Sequence, residues 1–480
     1  MKKAVYVPGP ELSAPAAKPK IIPARPPSRN KLVIAGLFTA LPPLIFYSVL
    51  LRKAVNVPYF DDYYSILDFL NQSIQLKITS ARASFFLTSQ TGEFRLWLLH
   101  ALTWLLFRLS GHIDLRVLDA IGNGFVLLLA ILLWKMFLPN HKDLASRLAL
   151  FVPVSWLLFQ LQYWETLDWA TSGLQHVPVL LFSLGTIYLL ERGERWAFLC
   201  SMAFLILAVA SDGNGLLTIP IGLLILAAGR SYQRAAAWLL ASAGCIAAYA
   251  YRYKLVLTET DAHGSAFMGQ HPEAHHSAFS ALLRLRPAYL LSFIGSAGRF
   301  PFQQGSLVLG ILLCVLFVYM ASRGYIRRNP TVSYCILFLL LTAIGVSCLR
   351  SDLGVSQSLS SRYAIYSALF LIFAWFAIVE EFLQHRRESL QDSGIFLGAM
   401  AAAVLFSLCM DLAGANGLDA RNRTLENAMA EFEHPTNPAS ALSPAPLAPL
   451  PGPPGNDFNT QARDIVIQSM NLGVYKPPPL

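Results

Sequence analysis

The chain has 480 residues, 55% of them hydrophobic and only 14% charged, with a mean hydropathy of +0.49. Soluble globular chains carry about 25% charged residues, so this composition excludes an ordinary soluble enzyme and points to an integral membrane protein. The formal net charge of +9 does not indicate a nucleic-acid binder. Much of the excess is Lys2, Lys3, Lys18, Lys20, Arg25, Arg29 and Lys31 ahead of the first apolar run, as an inner-side bias requires.

In chain order, residues 1–31 are rich in Pro, Ala and Lys without an apolar period, and are expected to be a disordered cytoplasmic tail. A first span is predicted at 32–51, long enough to cross and without a small-residue cleavage site, so it reads as an uncleaved anchor with its amino end inside. Ser65 to Leu76 has apolar positions at helical spacing, which predicts a helix on the outer surface. Leu96 to Leu109 is apolar but falls short of the roughly twenty residues a crossing needs, and reads as interfacial or re-entrant. With that piece not crossing, a span at 113–138 runs inward. The basic turns at Arg192 and Arg195, Arg230 and Arg234, Arg323, Arg327 and Arg328, and Arg386 and Arg387 then all fall inside.

Further spans are predicted at 148–164, 173–191, 197–211, 215–229, 235–256, 304–322, 332–349, 363–382 and 393–413. The expected fold is therefore all-α: a polytopic transmembrane bundle of about eleven spans over 32–413, with surface helices in the first outer loop. Residues 414–480 are Pro- and Ala-rich and read as a largely disordered outer tail, with one candidate helix at Arg423 to Phe432. Cys200, Cys245, Cys314, Cys335, Cys348 and Cys409 lie in or at the ends of apolar runs without CxxC spacing, and read as packing residues.

On this topology acidic groups collect outside: Asp61 and Asp62 just after the first span, Glu93 beside Arg95, and Glu165 with Asp168 among Tyr163, Trp164 and Trp169. Asp212, in Ser211-Asp212-Gly213-Asn214-Gly215, is a fourth candidate. Carboxylates near lipid and flanked by aromatics suit general-base work, because burial raises their pKa towards neutral and a second group can orient the base or bind a cation. Plainer readings stand beside each: a solvated loop start, a surface ion pair, an aromatic belt with hydrated acids, and a tight glycine turn. His271, His275 and His276 read as loop histidines, since Pro272 breaks the helical register, and no metal-ligand set is assigned. The outer arginines Arg284, Arg286, Arg299 and Arg362 suit headgroup phosphates or the phosphate of a lipid-linked donor. Arg362 is the best placed of these, at the entrance of a span. Nothing resembles a phosphate-cradling glycine loop, a Ser-His-Asp triad or a nucleotide fold.

Pro58-Tyr59-Phe60-Asp61-Asp62 after the first span, Gly92-Glu93-Phe94-Arg95 ahead of an apolar helix, Glu165 or Asp168 in the next outer loop, and the Asp212-Gly213-Asn214-Gly215 turn resemble the layout of the GT-C superfamily of polytopic glycosyltransferases. The likeness covers roughly residues 32–230. It departs from the protein O-mannosyltransferases in having Asp-Asp where they have Asp-Glu, and from the oligosaccharyltransferases in lacking a large outer domain. The resemblance implies a polyprenyl-phosphate-linked sugar as donor and a hydroxyl on a lipid, glycan or protein as acceptor, joined by inverting displacement at the outer face of a bacterial inner membrane.

It also implies roles. Asp61, or else Asp62, would be the base, and Arg95 or Arg362 would stabilise the leaving phosphate, with Arg299 and Arg286 as further phosphate ligands. Glu165 or Asp168 would orient the acceptor or share a divalent cation, the one cofactor such a site admits. Two other classes fit the composition: a transporter or lipid flippase, and a non-catalytic scaffold for envelope synthesis. Convergence of Asp61, Glu93 and Asp168 at one outer site favours the enzyme, whereas a central polar passage favours transport.

Overall fold

Long apolar runs must satisfy their own backbone once out of water, and helices do this within a single segment. The structure is a computed structural model that describes residues 29–138, 143–254, 285–299, 302–385, 394–433 and 457–477. Its described elements are helices, and the β-type pairings among the described residues are isolated bridges, Thr91 with Phe94 and Ile113 with Tyr475.

In chain order, α1 (Arg29–Lys53) is followed by a long connecting segment. That segment holds a π-helical turn (Tyr63–Asp68) and the short helices α2 (Phe69–Gln75), α3 (Thr79–Thr88) and α4 (Trp97–Ser110). Then come α5 (Leu115–Met136), α6 (Leu144–Leu158), the short α7 (Trp164–Leu167), α8 (Ala170–Arg192), α9 (Arg195–Ser211), α10 (Thr218–Ala228) and α11 (Tyr232–Ala250). The carboxyl half contains α12 (Pro287–Ile294), α13 (Gln304–Ser322), α14 (Tyr325–Arg328), α15 (Pro330–Arg350), α16 (Ala364–His385), α17 (Gly394–Glu433) and α18 (Asp457–Asn471).

Eight of these segments are long and apolar enough to cross a membrane; α9 and α10 are apolar but shorter. The membrane class expected from composition follows from them. In α8 and α16 most of the apolar window is buried, whereas α1, α13 and α17 turn most of theirs outward. Exposed Leu37, Leu44, Val318 and Leu412 on those outer helices suit hydrocarbon rather than water. The core is built around α8, which packs on α5 and α9, while α6 is flanked by α1, α16 and α17.

The crossing of α5 and α8 is close because it is made of glycines: a Cβ on Gly122 would lie 3.3 Å from the Gly173 carbonyl carbon. At Gly173 a Cβ would lie 2.7 Å from the Thr166 carbonyl oxygen, a backbone atom that cannot swing aside. Gly173→Ala is therefore expected to destabilise the protein by about 1–3 kcal/mol, as overpacking does, read as a lower thermal midpoint in detergent.

Two expectations differ from the observed chain. The helix expected over Ser65–Leu76 starts with the wider π turn, a form frequent at functional sites. The tail expected to be disordered from 414 is helical over 414–433, as the continuation of α17, and again over Asp457–Asn471. The reason is a stripe at helical spacing. Gly414 lies against the Leu161 carbonyl, Gly417 against the Trp164 ring, and Leu418, Arg421, Asn422 and Leu425 are buried. Residues 1–28, 255–284, 386–393 and 434–456 lie outside the described residues, and with them His271, His275, His276, Arg284, Arg386 and Arg387.

Candidate functional site

The ends of α1, α9 and α15 and the starts of α5, α8 and α16 meet at one end of the bundle, opposite the basic turns at Arg192 and Arg195, Arg230 and Arg234, and Arg323 to Arg328. The acidic residues singled out in the sequence lie at this shared end.

The Asp61–Asp62 turn is held by its own carboxylate. Asp62 Oδ2 accepts the Tyr59 amide at 3.1 Å, and the Asp62 amide donates to the Tyr59 carbonyl at 3.0 Å. Asp62 Oδ1 accepts both the amide and the hydroxyl of Thr171, at 2.9 and 2.6 Å. Thr171 is in the first turn of α8, so Asp62 caps that helix from another loop, where its orphan amides and dipole favour an anion. Asp62 is 2% exposed, and burial pushes its carboxyl up to about 6 against the pull of Thr171 and the Tyr59 amide.

Between the two ends of this turn, Phe60 is forced to φ +44°, a left-handed conformation costly for an aromatic residue. Its ring is clamped 4.3 Å from Tyr59 and 5.5 Å from Trp169. The result is that Asp61 is only half-buried while its neighbour is sealed.

A second acid set lies beneath. Asp168 is buried and takes a guanidinium hydrogen bond from Arg421 at 2.7 Å, with further donation from Asn422 and the Val55 amide. Burial pushes the Asp168 carboxyl up, and Arg421 opposes it. Arg421 also lies 4.4 Å over the Tyr59 ring. Asp119, in the second turn of α5, feels the charges of both Asp168 and Asp62. One turn on, Asn123 donates to the Leu167 carbonyl at 2.7 Å, which sets that face of α5 against Asp168. Asp119 Oδ1, Asn123 Oδ1, Arg421 Nε and Asn422 Oδ1 are buried with no hydrogen-bond partner.

Glu165 points the other way from Asp168. Its Oε2 accepts the Arg362 amide at 3.0 Å and the Ser360 hydroxyl at 2.8 Å, fixing the turn that opens α16. The Arg362 guanidinium lies 5.5 Å over Trp169, the ring that also packs on Phe60 and Tyr59. Arg299 donates to the carbonyls of Leu359 and Gln162 and stays within electrostatic reach of Glu165. A cavity of about 350 Å³ opens beside it, lined by Gln162, Gln303, Ser356, Leu359 and Met410.

Glu93 pairs with Arg350 at the end of α15, and both face Asp212. Next to them His176 lies 3.2 Å from the Tyr366 hydroxyl, which Asn214 also reaches at 3.3 Å. Burial pushes the Asp212 carboxyl up to about 7, against Gln175, the Gly213 amide and Arg350. A carboxyl raised in the folded state stabilises the fold fully below its unfolded value, and the contribution is lost as pH rises through the folded value, here about 7. Asp212→Asn is therefore expected to flatten the decline in thermal midpoint between about pH 4 and pH 7. An unchanged slope in detergent unfolding curves would show that Asp212 does not titrate there.

Two expectations need restating. Arg95, expected to face a phosphate, is fully buried and bonded to the carbonyls of Leu87 and Tyr251 at 2.5 and 2.6 Å. Its guanidinium braces the segment after α1 against the end of α11. Arg286, expected beside it as a phosphate ligand, is exposed at the start of α12. Glu93 does not pair with Arg95, two residues away, but with Arg350, which sequence reasoning passed over. Also missed were Asp119, Thr171, His176 and Arg421. Asp119 carried a signal, because an ionisable residue inside an apolar run is expensive unless it is used.

Among the described residues no group of three or more His, Cys, Asp or Glu side chains converges as a metal site requires. Comparison with protein-family models, with curated proteins and with solved structures gives no match.

Proposed function

We propose that the protein is an integral membrane glycosyltransferase that moves a sugar from a polyprenyl-phosphate donor to a hydroxyl acceptor at the outer face of the membrane. The observation that carries this reading is the Asp61 turn. A half-exposed carboxylate follows a strained residue, Phe60, and is anchored by a buried carboxylate, while the Arg362 guanidinium lies over Trp169, the ring that packs on Phe60. Strain held by surrounding structure is a mark of functional sites.

In this reading Asp61 takes the proton of the acceptor hydroxyl as its oxygen bonds to the anomeric carbon. The bond from that carbon to the phosphate oxygen breaks, and the electron pair leaves with polyprenyl phosphate. A single displacement of this kind inverts the anomeric centre. Arg362, whose guanidinium has no carboxylate partner among the described residues, offsets the charge growing on the phosphate, and Arg350 acts on the same Tyr363 ring beside it. Phe60, the partly exposed ring backed by Tyr59 and Trp169, offers a face to a sugar ring. In this reading the eight long apolar segments cross the membrane together with the shorter α9, α10 and α11. The basic turns then lie inside and the acidic end outside.

The test is transfer of radiolabelled sugar from polyprenyl-phosphate-linked donors by the purified full chain in liposomes, alongside envelope glycans of a deletion strain. No transfer from any such donor and an unaltered glycan profile would sink the reading.

A further inference from the structure

The groups around Asp61 described so far come from the bundle, yet the chain's carboxyl-terminal segment grips the same turn. The buried face of α18 is Ala462, Ile465, Val466 and Ser469, at i, i+3, i+4 and i+7. It packs on the π turn that begins directly after Asp62 and on the buried Tyr63, Ile66, Leu67 and Leu70. The seam is polar at one point. Asn71 Nδ2 donates to Ser469 Oγ at 2.9 Å and to the Ile465 carbonyl at 3.3 Å.

The helix then reverses. Gly473, at φ +68°, lets its amide reach the Met470 carbonyl while the Val474 amide returns to Ser469, the paired closure that ends many helices. The strap after it runs back to the other side of the turn. Val474 accepts the Ile113 amide at 2.7 Å, and the Tyr475 hydroxyl donates to the Asn56 carbonyl at 2.6 Å. Asn56 Nδ2 donates to the Lys476 carbonyl at 3.0 Å, while Asn56 Oδ1 accepts the Leu115 amide at the start of α5. Asn56 thus ties the approach to Asp61, the head of α5 and the carboxyl-terminal strap into one node.

We propose that residues 457–477 are a positioning element for Asp61: by holding Asn56 ahead of the turn and Tyr63–Asn71 behind it, the segment keeps the carboxylate where the acceptor hydroxyl must be deprotonated. This rests on the reading of Asp61 as the base. A segment that served only to cover apolar surface would need α18 alone. The strap adds three hydrogen bonds directed at Ile113 and Asn56, and two of these join the approach to the turn. A carboxylate displaced by about 1 Å from its working position loses on the order of a hundredfold in rate.

The experiment uses the full chain. Ile465→Asp places a charge in the seam and expels α18; Tyr475→Phe removes one strap bond and leaves the fold intact. Hydrogen exchange of the amides over 56–65 is read by mass spectrometry, together with kcat and KM for a polyprenyl-phosphate-linked sugar. A synthetic peptide of residues 457–477 is then added in trans. Ile465→Asp is expected to speed exchange of these amides by about tenfold or more, as local opening does, and Tyr475→Phe by a smaller factor. Transfer should fall by about tenfold or more in kcat with KM little changed, and the peptide should restore both.

Unchanged exchange in both variants, or faster exchange with unaltered kcat, overturns the proposal. If the unmodified chain transfers no sugar, the transferase reading fails by itself. The exchange data and the peptide rescue then still decide whether the segment holds the turn.

Discussion

Asp61→Ala is expected to abolish sugar transfer, lowering kcat by roughly 10²–10⁴-fold as loss of a general base does, while leaving the protein folded in membranes. The structural part follows from how the turn is held. The Asp61 backbone carbonyl accepts from the Ser65 hydroxyl at 2.6 Å and from the Ser65 amide at 2.8 Å, and both bonds survive removal of the side chain. Asp61→Asn, which keeps the shape and loses the basicity, should fall as far.

Asp62→Ala should behave differently. It strips Tyr59 and Thr171 of their shared acceptor and uncaps α8, costing about 1–3 kcal/mol of stability for buried donors left unpaired. The pair of variants therefore separates a residue that reacts from one that holds. Single-turnover transfer and thermal unfolding, measured on the same preparations, read the two effects apart. Transfer by Asp61→Ala at the unmodified rate would remove Asp61 from the chemistry.

The bundle was legible because spanning length and apolar composition are local properties. Each predicted span corresponds to a helix, and the short Leu96–Leu109 run corresponds to the 14-residue helix α4. The acidic end was legible for a related reason: long helices that alternate in direction bring the loops after α1, α6 and α9 to one end of the bundle. What stayed hidden depends on pairs far apart in the chain. Glu93 was set beside Arg95 by adjacency, but its partner Arg350 comes from α15, and no local pattern joins them. Glu165 and Asp168 looked like one acidic patch, yet a short helix turns them towards Arg362 and Arg421 respectively.

The tail was misread through composition. The Pro-rich stretch around 435–455 coloured the reading of its neighbours, although Gly414, Gly417, Leu418, Arg421, Asn422 and Leu425 keep a helical stripe and Ala462, Ile465, Val466 and Ser469 keep another. Both stripes end on the candidate site, so the composition rule failed where the chain is used.

Arg421→Met is expected to destabilise the protein by about 3–5 kcal/mol, the cost of leaving a buried carboxylate without its partner. The side chains of Arg421 and Asp168 are 4% and 2% exposed, so water cannot take over the lost hydrogen bond. By contrast Lys53 at the end of α1 and Asp419, half a turn before Arg421 on α17, are 46% and 35% exposed at 2.8 Å. Asp419→Ala should change stability by no more than about 0.5 kcal/mol, the usual worth of a solvated pair.

The two charges can be removed together. In Arg421→Met with Asp168→Asn no bare charge remains, and most of the loss should return, because desolvation of an ion pair is itself costly. Arg421→Lys should not substitute. Its ammonium lacks the planar fork that bonds Asp168 and lies over the Tyr59 ring at once. Since Tyr59 leads into the strained Phe60, the double variant is expected to regain stability without regaining transfer. Equal recovery of both would mean that the guanidinium serves only to neutralise Asp168, and that the shape of the Asp61 turn does not depend on it.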